Sequence, residues 1–98
     1  MTKNNIEKPD RRAAIICSHV ANQSFPILRA VRDEPTVPED SGWQFLCDSF
    51  EDEDADLAKV WLVCEVLEHE PSLVPLIDHP AGTVLTRNSS TSSWKLEN

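Results

Sequence analysis

Asp40-Ser41-Gly42-Trp43-Gln44-Phe45-Leu46-Cys47 is the stretch on which the fold depends. From Trp43 onward the apolar residues alternate with Gln44, the period of a half-buried β-strand. Gly42, one of two glycines in the 98 residues, stands directly before that strand. It marks a backbone position that needs positive φ or a close approach of another chain segment. Upstream, Pro35 and Pro38 exclude a central strand or helix interior between Asp33 and Asp40, which therefore reads as an acidic loop. Downstream, Asp48 to Asp56 is too acidic to pack, apart from Phe50.

Working outward, Ala13 to Val20 is short, apolar and partly β-branched, and reads as a central strand. Asn22-Gln23-Ser24 follows as a turn, and Ile27 to Val31 as a second strand with one wet face, so a hairpin is the economical pairing. A helical turn is expected around Asp54 to Lys59, then a short strand over Val60-Trp61-Leu62-Val63. Glu65 to Glu70 reads as a helical turn, and Pro71 at a first helical position opens another through Ile77. Thr83 to Thr86 is the last expected strand. The expected fold is α+β: a single small domain with a four- to five-stranded, mostly antiparallel sheet and short helices packed on one face. Residues 1–12 read as a flexible leader, 13–87 as the domain, and 88–98 as a Ser/Thr-rich tail docked through Trp94.

The charge is as uneven as the pattern is regular. Between Asp33 and Ala58 lie ten of the seventeen carboxylates, without one Lys, Arg or His. The formal net charge is −8. Phosphate neutralisation needs Lys and Arg, so neither nucleic acid nor anionic membrane is expected as a partner. An acidic surface favours fast, salt-sensitive encounter with a cationic one. No stretch approaches the ~18 apolar residues of a membrane span, and the amino-terminal residues lack the apolar core of a signal peptide. A cytoplasmic location is the expectation.

Constellations that could carry chemistry are thin. Cys17, Cys47 and Cys64 are an odd set without a C-x-x-C, and read as buried free thiols. Cys17 and His19 would share a strand face, but a thiol in so apolar a run is inert. The acidic run lacks the spacing of a calcium loop. His69 and His79, with Glu68, Glu70 and Asp78 nearby, have metal-ligand chemistry without metal-ligand spacing. Asn22-Gln23-Ser24 and Asn88-Ser89-Ser90 match a glycosylation pattern that requires a secretory route. Neither a phosphate-cradling loop nor a G-x-S-x-G nucleophile is present. No catalytic residue, metal or cofactor is assigned.

Taken together, Asp40-Ser41-Gly42-Trp43-Gln44-Phe45, the acidic stretch after it, and Glu70-Pro71-Ser72-Leu73-Val74-Pro75-Leu76-Ile77-Asp78-His79-Pro80-Ala81-Gly82-Thr83 resemble a family of small bacterial proteins. It is the family of immunity-protein domains of polymorphic toxin systems, formerly a domain of unknown function. Its pattern runs D-S-G-W-x-F, an Asp/Glu-rich loop, then a Pro-containing element closing on P-x-G-[ST]. The resemblance spans Ala13 to Arg87. Glu70 stands where the family has another acidic residue, Val60 to Glu65 is more apolar than the pattern, and the tail from Asn88 lies outside it. The resemblance implies a non-enzymatic inhibitor that binds a cognate toxin, and the acidity suits a basic, nuclease-like one. Asp40, Glu51, Asp52, Glu53 and Asp54 are the expected charged contacts, with Trp43 or Trp61 as apolar anchor. For Trp43 the competing role is core packing, for Asp40 a cap on the loop backbone. The alternative function is a small-ligand or metal-binding accessory domain on the same fold.

Overall fold

The computed structural model describes residues 10–23, 25–47 and 58–97. The strands are β1 (Ala13–Ile16), β2 (Arg29–Arg32), β3 (Asp40–Leu46), β4 (Lys59–Leu62), β5 (Val84–Thr86) and β6 (Lys95–Leu96). Helix α1 (Ser18–Gln23) follows β1, and α2 (Val63–His69) follows β4 without a break. A 3₁₀ helix, Pro71–Leu76, comes next, with Pro71 in its first turn, where a missing N–H costs nothing.

The strands form one mixed sheet in the order β4-β1-β3-β2-β5-β6. The α+β class and the small single sheet are as the sequence implies; the strand count is six rather than four or five. The expected hairpin of the first two strands is absent. β3 lies between them, parallel to β1 and antiparallel to β2.

The first strand is also shorter than its apolar run. Cys17 N–H donates to Phe45 O at 3.1 Å, close to the end of β3, and beyond it Ala21 N–H turns back to Cys17 O. With no further strand to pair with, Ser18 to Gln23 satisfies its backbone internally as α1 and still buries Val20. An eight-residue apolar run does not distinguish these outcomes by periodicity.

Cross-strand register sorts the sheet into two faces. Ile16, Phe45, Ala30 and Leu85 form one row across four strands, and all are buried. Val20 from α1, Val63 and Val66 from α2, and Leu73 and Ile77 from the 3₁₀ segment join the same core. The opposite row runs Val60, Ile15, Gln44, Val31 and Val84. It faces outward, and at its β4 end Ile15 and Val60 are exposed.

The start of α2 is anchored by the segment before β1. Val63 N–H donates to Arg12 O and Cys64 N–H to Asp10 O, while Glu65 reaches back to accept from Leu62 N–H at 2.8 Å. Three N–H groups at a helix start are thereby satisfied. Arg12 grips the Asp10 carboxylate at 2.6 Å, and this hydrogen bond holds the Asp10 carboxyl below its ordinary value.

Candidate functional site

The Asp40-Ser41-Gly42-Trp43 element lies at the start of β3, where its pairing with β1 slips: Ala13 faces Asp40, yet Ile15 faces Gln44. The extra β3 residues form a bulge, and each residue of the element satisfies it differently. Asp40 Oδ1 accepts from Gly42 N–H at 2.9 Å. Ser41, fully buried, donates its hydroxyl to Ala13 O at 2.6 Å and accepts from Trp43 N–H at 3.1 Å. Gly42 has φ +82°, and a Cβ there would fall 2.0 Å from Asp33 O. Both reasons for a glycine, positive φ and close approach, hold at this residue. Trp43 is 1% exposed, and its indole N–H donates to Ile77 O at 3.1 Å. Of its two expected roles the folded chain leaves it the core one, since the ring presents no surface to a partner.

The second sequence element meets the first on a residue that sequence reading passed over. Arg32 ends β2, donating through Nε to Ser41 O at 2.9 Å and through Nη1 to His79 O at 2.7 Å. Its guanidinium lies 5.6 Å from the Trp43 ring centroid. Its backbone binds the Pro80-Ala81-Gly82-Thr83 turn, with Gly82 N–H donating to Arg32 O and Arg32 N–H to Thr83 O. The two motifs, forty residues apart in sequence, close around one arginine. Nothing in the spacing of Arg29-Ala30-Val31-Arg32 marked the second arginine as different from the first.

A second cationic clamp forms just after β5. Arg87, 6% exposed, donates to Ile27 O and to Glu70 Oε1 at 2.8 Å, and Trp94 covers its guanidinium at 4.4 Å. Trp94 Nε1 donates in turn to Ser72 Oγ, which donates to Glu70 Oε2. Burial pushes the Glu70 carboxyl up, but hydrogen bonds from Arg87 and Ser72 outweigh it, and the net shift is downward.

The exposed counterpart is a cleft at the β4 edge. Val60, Trp61, Glu65, Glu68 and His69 line about 580 Å³ of open volume between β4 and α2. Trp61 is half-buried, one side packed on the core, with the His69 ring edge-on at 5.6 Å. Glu65 and Glu68 lie on consecutive turns of α2, so their carboxylates share one rim. This combination, an aromatic face beside two carboxylates, suits a lysine or arginine side chain. The sequence singles out Trp61 as an anchor, whereas it places Glu65 and Glu68 in a helical turn without assigning them to a contact. Their i, i+3 spacing is there to read, but their placement beside Trp61 follows only from β4 running directly into α2.

The other anticipated residues divide. Asp40 is half-buried and serves the bulge through Oδ1. Glu51, Asp52, Glu53 and Asp54 lie outside the described residues, as does most of the helical turn expected at Asp54 to Lys59. His69 packs on Trp61, while His79 Nδ1 lies 3.1 Å from Leu76 O, so each serves a different corner. Cys17 and His19 do not share a strand face, one following β1 and the other lying in α1. Among the described residues, Cys17, His19 and Cys47 are the group of three ligating side chains that lies together. No helix among them is long and apolar enough to cross a membrane.

In comparison with known families, the chain matches the family described as Immunity protein Imm33 domain over residues 14–97. The match runs past Arg87 and takes in the Ser/Thr-rich segment and β6. No curated protein and no solved structure matches significantly.

Proposed function

The chain belongs to the Imm33 immunity-protein domain family, and on that premise we propose that it neutralises a cognate toxin by binding it, without catalysis, through the cleft at the β4 edge. The family match over residues 14–97 is the observation that carries the function. The cleft supports the location, because there an aromatic face and two carboxylates stand exposed beside the outward apolar row of Ile15 and Val60. Aromatic anchors ringed by polar groups are the usual energetic centres of protein interfaces.

The toxin surface on this reading is basic, as a nuclease's phosphate-binding face is. Trp61 and Val60 supply the desolvated contact, and Glu68 receives a cationic side chain, with Glu65, whose Oε1 is held by the Leu62 N–H, adding its charge to the rim. The acidic run with Glu51, Asp52, Glu53 and Asp54 steers the encounter, raising the association rate more than the final affinity. Asp40 and Trp43 act indirectly, by holding the sheet that presents the edge.

Co-expression with the toxin domain encoded beside this gene, followed by pull-down, tests the function. Growth rescue with a stable complex supports it, while failure of both removes it. Neutralising Glu51, Asp52, Glu53 and Asp54 together is expected to slow association and flatten its salt dependence with little loss of stability. An unchanged association rate at low salt would remove the steering role.

A further inference from the structure

We infer that Cys17, His19 and Cys47 form a binding site for a thiophilic metal ion, zinc in the first place, that ties the β1–α1 corner to the end of β3. The three side chains come from three places: the residue after β1, the first turn of α1 and the residue after β3. Adjacent parallel strands bring them together, because the Cys17 N–H to Phe45 O bond sets the ends of β1 and β3 side by side. Their ligand atoms all lie within 4.8 Å of one another. Their exposures are 3%, 7% and 7%.

Geometry and chemistry agree on the class of ligand. With Zn–S about 2.3 Å and Zn–N about 2.0–2.1 Å, a tetrahedral site has S···N edges of about 3.6 Å and S···S edges of about 3.8 Å. Cys47 Sγ and His19 Nδ1 lie 3.5 Å apart, already at that edge length. The remaining separations, each within 4.8 Å, need contract by no more than about 1.2 Å to reach the same tetrahedron. Two thiolates and an imidazole select zinc or copper(I) over hard cations such as calcium or magnesium. Phe25 stacks on the His19 ring at 5.4 Å and fixes its plane. Three protein donors leave a fourth position for a water or an added donor.

Cys47 directly follows β3, so an ion bound here would pin the end of that strand to the start of α1. Zinc binding would then stabilise the domain by mass action and release protons from the thiols. The sequence hides the site, since Cys17-Ser18-His19 and a cysteine thirty residues later match no zinc-ligand spacing.

The test uses the full chain, reduced and freed of metal, titrated with cobalt(II) and then zinc. The expected result is uptake of a single equivalent of cobalt with thiolate-to-metal charge-transfer absorption, displaced by zinc, and a rise in Tm with zinc. Cys47→Ser and His19→Gln are expected to abolish the charge-transfer band, and Cys64→Ser to leave it intact. Circular dichroism of each metal-free variant separates lost ligation from lost folding, and Cys64→Ser keeps the assignment testable if the others fail to fold. Absence of cobalt and zinc uptake by the folded wild-type chain overturns the proposal. So does a band that survives in Cys17→Ser with Cys47→Ser, or one that disappears in Cys64→Ser. Toxin rescue is a separate readout, so the metal site and the immunity function stand or fall independently.

Discussion

The corner around Arg32 and the cleft beside α2 are opposites in how they use polar groups. At the corner, Ser41, Arg32 and Trp43 donate to backbone carbonyls and Asp40 accepts from a backbone N–H, so all four side chains are used by the protein's own backbone. In the cleft, Glu68 and the exposed side of Trp61 face open volume. A polar group satisfied inside the fold has little left to offer a partner, whereas an exposed aromatic beside carboxylates retains its binding energy. The most recognisable motif in the chain is therefore architecture, and the contact surface proposed above lies in a stretch, Val60 to Glu65, that is more apolar than the family pattern.

That contrast breaks first at Gly42. Gly42→Val sets a β-branched side chain at positive φ and against the Asp33 carbonyl, and a loss above about 4 kcal/mol is expected, enough to unfold the domain. A cooperative urea transition near the wild-type midpoint would mean the bulge is not built as described. Arg32→Ala comes next, leaving Ser41 O and His79 O without their charged donor and Trp43 without its cation. A cost of about 2–4 kcal/mol is expected in equilibrium denaturation, with partial recovery in Arg32→Lys. An Arg32→Ala variant as stable as wild type would show that the two motifs do not need this arginine to close.

Acid sharpens the comparison more gently. The Glu70 carboxyl is depressed below its ordinary 4.5 by Arg87 and Ser72. Its contribution is thus fully present above that value and declines as pH falls through the folded pKa. Stability measured from pH 6 downward should fall below about pH 4.5, with a shallower slope in Glu70→Gln. The smallest stability effect belongs to the cleft. Glu68→Lys is expected to change folding by less than about 0.5 kcal/mol while weakening toxin binding tenfold or more, about 1.4 kcal/mol. Equal losses in folding and binding would erase the distinction between the two regions.

Much of this was legible along the chain. Alternation from Trp43 to Leu46 gave a half-buried strand, the scarcity of glycine pointed to Gly42, and the order of the two motifs pointed to the immunity family. Each of these is a local or compositional property that one-dimensional order preserves. The α+β class follows from them, because short alternating runs and Pro-started helical turns have few ways to cover one apolar face.

Pairing was decided only in three dimensions. Whether Ala13 to Val20 stays extended depends on where a neighbouring strand stops, and that neighbour is β3 rather than the next strand in sequence. The insertion of β3 between β1 and β2 brings Arg32 to the first motif and Cys47 to Cys17 and His19, while the pairing of β5 with β2 brings Arg32 to the second motif. Such contacts join residues from nine to forty-seven positions apart. Their energy comes from burial and hydrogen-bond satisfaction in the closed core, which no local pattern records.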